Sequence, residues 1–261
     1  MQNGREREEH LDAISNYHSE STPAGLDGTC AQILGSDTMQ TWESQAGQKL
    51  LCHGRPGGGK TTVATMVANR LVEKYDGDDH VGIVRIYLRA DNPDLKALDG
   101  TGLQRAILRQ LCEKQPVLLE TIPELCDSWK RRRSRPGNSQ LLQALIRAID
   151  EFTRVFLVID AIDDFGTSMA DTRVLLKFLL SAIRLRPKVN LLLTSLASLE
   201  VMESELTEEL TGWKELEIRA LDKDIACYIN SRVTDIAPSW RQGGHVPGEI
   251  VRDVIHMCDG T

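Results

Sequence analysis

The stretch GRPGGGKT, Gly54–Thr61, decides the fold, because it fits the pattern G-x-x-x-x-G-K-[ST] at every fixed position. The short apolar segment Lys49–His53 precedes it and predicts a strand. Residues 60–75 follow it and place apolar side chains on one face of a helix. These side chains are Val63, Ala64, Val67, Ala68, Leu71 and Val72. A strand, a glycine-rich loop and a helix in this order predict a phosphate-binding loop.

The chemistry of this loop suits a nucleoside triphosphate. Its glycines let consecutive backbone N–H groups approach phosphate oxygens, and the helix N-terminus adds a partial positive charge. Lys60 supplies an ammonium for the β- and γ-phosphates, and the Thr61 hydroxyl is an oxygen ligand for Mg²⁺. The predicted nucleotide-binding residues of the loop are Gly54, Pro56, Gly57, Gly58, Gly59, Lys60, Thr61 and Thr62.

An acidic residue follows the continuous apolar run Val155–Ile159, which is typical of a strand covered on both faces. Ligands of open α/β sheets bind outside the carboxyl ends of the strands, so Asp160 is predicted to hold Mg²⁺ together with Thr61. The next residue is Ala161, where many related ATPases carry a catalytic Glu. Asp163 or Asp164 must then activate the water, unless both are capping or loop carboxylates.

Strands and helices alternate from residue 49 onward, which predicts a parallel sheet with helices on both faces. Five strands are predicted near residues 50–53, 83–88, 155–159, 190–194 and 215–218. Helices are predicted over 29–35, 38–45, 101–114, 117–129, 139–151, 171–185, 222–233 and 248–258. Ser36 or Asp37 is the expected cap of the second helix. The helix over 171–185 is predicted to bury Val174, Leu175, Phe178, Leu179, Ala182 and Ile183.

Composition narrows the class of protein. The 261 residues include 31 Lys and Arg against 38 Asp and Glu, a net charge of −7, which argues against a general nucleic-acid binder. No apolar run approaches the length that spans a bilayer, and the charged N-terminus is not a secretory signal. The six cysteines are scattered and form no C-x-x-C pair. A cytoplasmic protein with reduced thiols, no membrane partner and no nucleic-acid partner is the expectation.

Three regions are expected along the chain. Residues 1–45 form a helical lead-in and linker, residues 46–220 form the P-loop core, and residues 221–261 form a helical extension that stops short. Because a helical pattern runs to the last residues, we expect the chain to be a fragment of a longer protein.

Three signatures carry a resemblance to a known family. They are GRPGGGKTT at Gly54–Thr62, VFLVIDAIDD at Val155–Asp164, and NLLLTS at Asn190–Ser195, which is similar to a sensor-1 strand. With weaker matches from about residue 5 to about residue 260, the chain resembles the NACHT class of STAND regulatory NTPases. The version it resembles is the nephrocystin-3-like N-terminal type that is abundant in fungal proteins.

The resemblance implies a three-layer α/β/α sandwich whose five-stranded, mainly parallel sheet has the order 5-1-4-3-2. It implies ATP or GTP with Mg²⁺, and it adds Thr194 of the sensor-1 strand to the nucleotide-binding residues. It also implies a switch in which the nucleotide state controls self-association and signalling by neighbouring protein domains.

Two departures from the family pattern concern hydrolysis. Leu196 stands where the family commonly has Arg, and Asp164 stands where it has Glu. Both changes are expected to weaken hydrolysis more than nucleotide binding. The leading hypothesis is therefore a regulatory switch with low ATPase or GTPase activity. A nucleotide-stabilised scaffold without turnover stays open, as does a small-molecule kinase, although no Arg-rich lid is found.

Overall fold

The computed structural model describes residues 30–88, 101–122, 138–164, 169–183, 186–201 and 210–219, together with 225–226 and 252. The strands are β1 (Lys49–His53), β2 (Val81–Tyr87), β3 (Arg154–Asp160), β4 (Val189–Ser195) and β5 (Lys214–Glu217). The helices are α1 (Ala31–Leu34), α2 (Asp37–Ser44), α3 (Lys60–Lys74), α4 (Thr101–Lys114), α5 (Leu118–Thr121), α6 (Asn138–Asp150) and α7 (Met169–Ile183). A 3₁₀ turn spans Ile162–Asp164.

The five strands form one sheet in the order β2-β3-β4-β1-β5, with every pairing parallel. Read from the other edge this is 5-1-4-3-2, so the predicted order is confirmed. The register places Thr194 opposite Cys52 of the strand that enters the P-loop, and Tyr87 opposite Asp160. The acidic strand and the sensor-1 strand therefore end beside the P-loop.

Helices cover both faces of the sheet, because alternate side chains of each strand point to opposite sides. Leu51 and Leu157 face a core that includes buried residues of α4, α6 and α7. Leu50, Cys52 and Phe156 face a second core that is built with α2 and α3. The chain thus has the predicted three-layer α/β/α sandwich.

Helix α2 is tied to the sheet by side chains from β3 and β4. The Ser36 hydroxyl caps its start by accepting from the Met39 N–H, as one of the two predicted caps. Trp42 is fully buried and its Nε1 donates to the Leu191 carbonyl at 3.0 Å. At the C-terminal end of α2, the Arg154 side chain donates to the backbone carbonyls of residues 43, 44 and 45 at 2.7–3.2 Å. Residues 37–44 thus pack on the core, and the domain boundary at residue 45 stays a prediction.

In the described part of the chain, a side chain and not a strand covers the outer edge of β2 at Arg85. Gln110 of α4 accepts from the Arg85 N–H at 2.9 Å and donates to the Arg85 carbonyl at 2.8 Å. Its amide thereby satisfies the N–H and the carbonyl of Arg85, which a neighbouring strand would otherwise have paired. Covered edges of this kind resist pairing with other chains.

The predicted burial of Val174 is wrong, because this side chain is 50% exposed. It lies on the face of α7 opposite the buried residues Leu176, Leu179 and Ile183. Val72, at the flank of the apolar stripe predicted for α3, is 43% exposed. Helix α5 covers only the start of the segment predicted over 117–129, whose residues 123–129 lie outside the described residues. The helices predicted over 222–233 and 248–258 also lie outside them, apart from 225–226 and 252. Within the described part of the chain, no helix combines the length and apolarity needed to cross a membrane.

Candidate nucleotide-binding site

The P-loop conformation depends on glycine at three positions. Gly57 and Gly59 adopt positive φ angles of 76° and 91°, which residues other than glycine rarely adopt. A Cβ on Gly54 would lie 2.2 Å from the Ile218 carbonyl oxygen. Close approach to phosphate is therefore not the only reason for a glycine here, because the chain leaving β5 crosses directly against Gly54.

Lys60 opens α3 and reaches back over the loop. Its Nζ donates to the carbonyls of Gly54 at 2.8 Å and Arg55 at 2.9 Å. Its side chain is half-buried, and the neighbouring Thr61 is exposed. The ammonium is thus held at the loop, where the oxygens of an entering phosphate would compete with these two carbonyls.

Thr61 and Asp160, separated by 99 residues in the chain, are in direct contact. The Thr61 hydroxyl donates to Asp160 Oδ2 at 2.7 Å, and the Thr194 hydroxyl donates to Asp160 Oδ1 at 2.5 Å. The Ala161 N–H in turn donates to the Thr194 hydroxyl oxygen at 2.7 Å. The structure therefore brings together both residues predicted for the metal and the predicted sensor-1 threonine.

Burial dominates the electrostatics of Asp160, which is only 4% exposed. Burial raises the pKa of the Asp160 carboxyl above its ordinary value. The hydrogen bonds from Thr194 and Thr61 and the charge of Lys60 lower that pKa in part, and the Asp163 carboxylate raises it. A cation beside Asp160 would relieve the cost of burying this charge.

The backbone turns sharply after Asp160. Ala161 has a φ of 59°, a left-handed conformation that is unfavourable for a residue with a Cβ. The 3₁₀ turn that follows carries Asp163 to the end of β4, where its Oδ1 accepts from the Leu196 N–H at 3.0 Å. Asp164 closes the same turn, and its side chain lies outside the described atoms.

A family model described as nephrocystin 3, N-terminal, matches residues 28–195, more than half of the chain and the part that contains the P-loop, Asp160 and Thr194. This chain belongs to that family.

The other comparisons concern individual proteins. No curated protein matches the chain. Among solved structures, "Structure of C. elegans PCH-2" is similar at 14% sequence identity with a TM-score of 0.38. That match covers 91% of this chain and 48% of the solved chain, so the chain spans about half the length of that structure.

Sequence reasoning missed Glu215 on β5. Its Oε1 accepts from the Leu199 N–H at 2.8 Å and lies 3.1 Å from Nε2 of His53, the residue before Gly54. Tyr87 was missed as well, although its hydroxyl lies 3.1 Å from that of Thr65, one helical turn after Thr61. The alternation of KELE in β5 was the available signal for Glu215, since it places two glutamates on one face of a short strand.

Proposed function

We propose that this chain is the nucleoside-triphosphate-binding core of a NACHT-class STAND switch with weak hydrolysis. The contact of 2.7 Å between the hydroxyl of Thr61 and the carboxylate of Asp160 carries the proposal. Two oxygens suited to Mg²⁺ meet there, beside the lysine and glycines of a phosphate-binding loop.

The loop residues would bind the triphosphate. Backbone N–H groups from Gly57 to Thr62 and the Lys60 ammonium would hold the β- and γ-phosphate oxygens, as the α3 N-terminus favours negative charge. Thr61 and Asp160 fit Mg²⁺, because a hydroxyl and a buried carboxylate are hard oxygen ligands. When bound, Mg²⁺ supplies positive charge that offsets the charge of the phosphates.

Thr194 holds Asp160 in place in this site. Its hydroxyl donates a hydrogen bond to the Asp160 carboxylate and accepts one from the Ala161 N–H. The arrangement prevents the carboxylate from rotating away from Thr61. A contact between Thr194 and the nucleotide itself stays part of the proposal.

Turnover is expected to be low. The acidic pair Asp163 and Asp164 is the proposed source of the base that activates water, and Leu196 offers no charge to the γ-phosphate. This same leucine favours the second candidate, a nucleotide-stabilised scaffold without turnover. Its side chain is 49% exposed at the end of the strand beside the P-loop, where the family has Arg.

The switch would act through assembly. We propose that the bound nucleotide controls self-association of this core and its contacts with neighbouring protein domains.

Labelled ATP and GTP test the proposal. Released phosphate supports the switch with hydrolysis, retained nucleotide without release supports the scaffold, and phosphate on an acceptor would indicate a kinase. Lys60→Ala should abolish tight binding while the protein stays folded, since a charge-assisted contact is worth about 1.5–3 kcal/mol. Lys177→Ala on the exposed side of α7 is the matched control. If calorimetry gives Lys60→Ala and the control the same affinity for the nucleotide, the P-loop is not the nucleotide-binding site.

A further inference from the structure

The segment Ser195–Leu199, which leaves β4 at the nucleotide edge, is held by three side-chain acceptors. Asp163 Oδ1 accepts from the Leu196 N–H at 3.0 Å, and Ser195 Oγ accepts from the Ala197 N–H at 3.0 Å. Glu215 Oε1 accepts from the Leu199 N–H at 2.8 Å. The backbone of this segment is therefore fixed by side chains at the point where strand pairing ends.

The acceptors connect the segment to both halves of the site. Asp163 lies three residues after Asp160, on the turn that the left-handed Ala161 creates. Glu215 also contacts His53, the last residue before the P-loop. A third link joins the Gly54 N–H to the Ser195 carbonyl at 3.2 Å. A displacement of the segment would consequently strain the acidic turn and the P-loop together.

We infer that Asp163 is a positioning residue, which holds the Leu196 backbone against the acidic turn, and that it is not the base that activates water. The inference rests on the proposed function and separates the two members of the acidic pair. The Oδ1 atom of Asp163 accepts a backbone N–H, so one of its two carboxylate oxygens is engaged with the protein, whereas a base must present an oxygen to the proton of a water. Charge-assisted bonds of this type are among the stronger protein hydrogen bonds.

Two substitutions of the same residue distinguish holding from base catalysis. Asp163→Asn keeps an oxygen that can accept from the Leu196 N–H but removes the basic carboxylate, whereas Asp163→Ala removes both. The single-turnover rate of phosphate release should be higher in Asp163→Asn than in Asp163→Ala, because only Asn keeps an acceptor for the Leu196 N–H. Asp163→Ala should lose about tenfold or more, because a shift of about 1 Å at a reacting site can cost 10²-fold. Equal, large losses in both variants with unchanged nucleotide affinity would overturn the inference, since a general base contributes about 10²–10⁴-fold.

Amide exchange of Leu196 tests the contact without any turnover. In nucleotide-free protein, Asp163→Ala should accelerate exchange of this amide about tenfold, while Asp163→Asn should accelerate it clearly less, because its neutral amide oxygen still accepts from the Leu196 N–H. Unchanged exchange in Asp163→Ala, or equal acceleration in both variants, would overturn the inference.

A failure of the proposed function and a failure of the role inferred for Asp163 give different experimental results. If wild-type protein releases no more phosphate than Lys60→Ala, the hydrolytic part of the proposed function is wrong and the exchange rates alone decide the role of Asp163. If wild-type protein turns over and the exchange rates contradict the expectation, the role of Asp163 is wrong and the proposed function stands.

Discussion

Replacing Asp160 by Asn should make the nucleotide-free protein more resistant to unfolding at neutral pH while removing its response to Mg²⁺. The carboxylate is almost fully buried, and its hydrogen bonds come from two threonine hydroxyls. An Asn side chain can accept from Thr194 and donate to the rotated hydroxyl of Thr61, so both partners stay satisfied. The substitution therefore removes a buried charge without leaving an unpaired polar group.

Asp160→Asn should stabilise the protein, and not destabilise it, because of the direction in which folding changes the pKa of Asp160. Burial raises the pKa of Asp160 in the folded protein more than the hydrogen bonds and Lys60 lower it. The folded state then binds the proton more tightly than the unfolded state does. The stabilisation is present at a pH below the unfolded-state pKa and is lost as the pH rises through the folded-state pKa. One such group changes the free energy of unfolding by at most about 1.4 kcal/mol per pH unit.

Urea unfolding of wild type and Asp160→Asn between about pH 4 and about pH 8, followed by tryptophan fluorescence, measures this difference. The difference in unfolding free energy should grow in favour of Asn as the pH rises. Asp76→Asn, at an exposed carboxylate, is the matched control and should follow the wild type. Parallel curves for all three proteins would refute the argument that folding carries an uncompensated cost at Asp160.

Mg²⁺ and nucleotide should reverse the order of stability. A ligand at about 100 times its dissociation constant stabilises the folded state by about 2.7 kcal/mol. The wild type should gain the Mg²⁺-dependent part of this stabilisation, and Asp160→Asn should not, because an amide replaces the carboxylate ligand. An Asn variant with the wild-type Mg²⁺ response would show that Asp160 does not hold the metal.

Three further predictions concern single side chains. Leu196→Arg should raise the rate of phosphate release by part of the 10²–10³-fold that one positioned hydrogen-bond donor supplies. The melting temperature should stay near that of wild type, because the Leu196 side chain is half exposed. A folded variant that releases phosphate no faster than wild type would contradict this. Ala161→Gly should raise the free energy of unfolding by about 0.5–1 kcal/mol, because relief of the left-handed strain at a φ of 59° exceeds the extra unfolded-state entropy of glycine. A less stable variant in urea would show that the strain is smaller than this entropy. Gln110→Leu should lower that free energy by about 2–4 kcal/mol and promote association, since both backbone groups of Arg85 lose their partner. Gln143→Leu, at an exposed position of α6, is its control in unfolding and sedimentation experiments, and equal behaviour of the two variants would count against the edge-covering role.

Local patterns were sufficient for the elements and for naming the residues of the candidate site, whose roles stay predictions. The glycine spacing and the apolar runs predicted β1, α3, β3 and β4 with ends within about two residues, since period and turn chemistry are local properties of the chain. Asp160 was recognised because a charge directly after a buried strand has few places to lie except the ligand edge of the sheet. The resemblance to the family added the strand order, which composition and periodicity do not contain.

Contacts between distant residues needed the tertiary structure. The left-handed turn at Ala161 sends Asp163 to the Leu196 N–H, and Glu215 reaches Leu199 only because β5 pairs with β1. The Thr194 hydroxyl on β4 donates to Asp160 because the pairing of β3 with β4 brings that carboxylate within reach.

The sequence by itself determined the phosphate-binding loop, the acidic strand end and the class of fold, because each depends on residue types at short, regular spacing. Only the tertiary structure decided how Asp160 is held, which backbone Asp163 supports and which amide covers the edge of β2. Those arrangements depend on the relative positions of strands and helices tens of residues apart, and no local pattern encodes such positions.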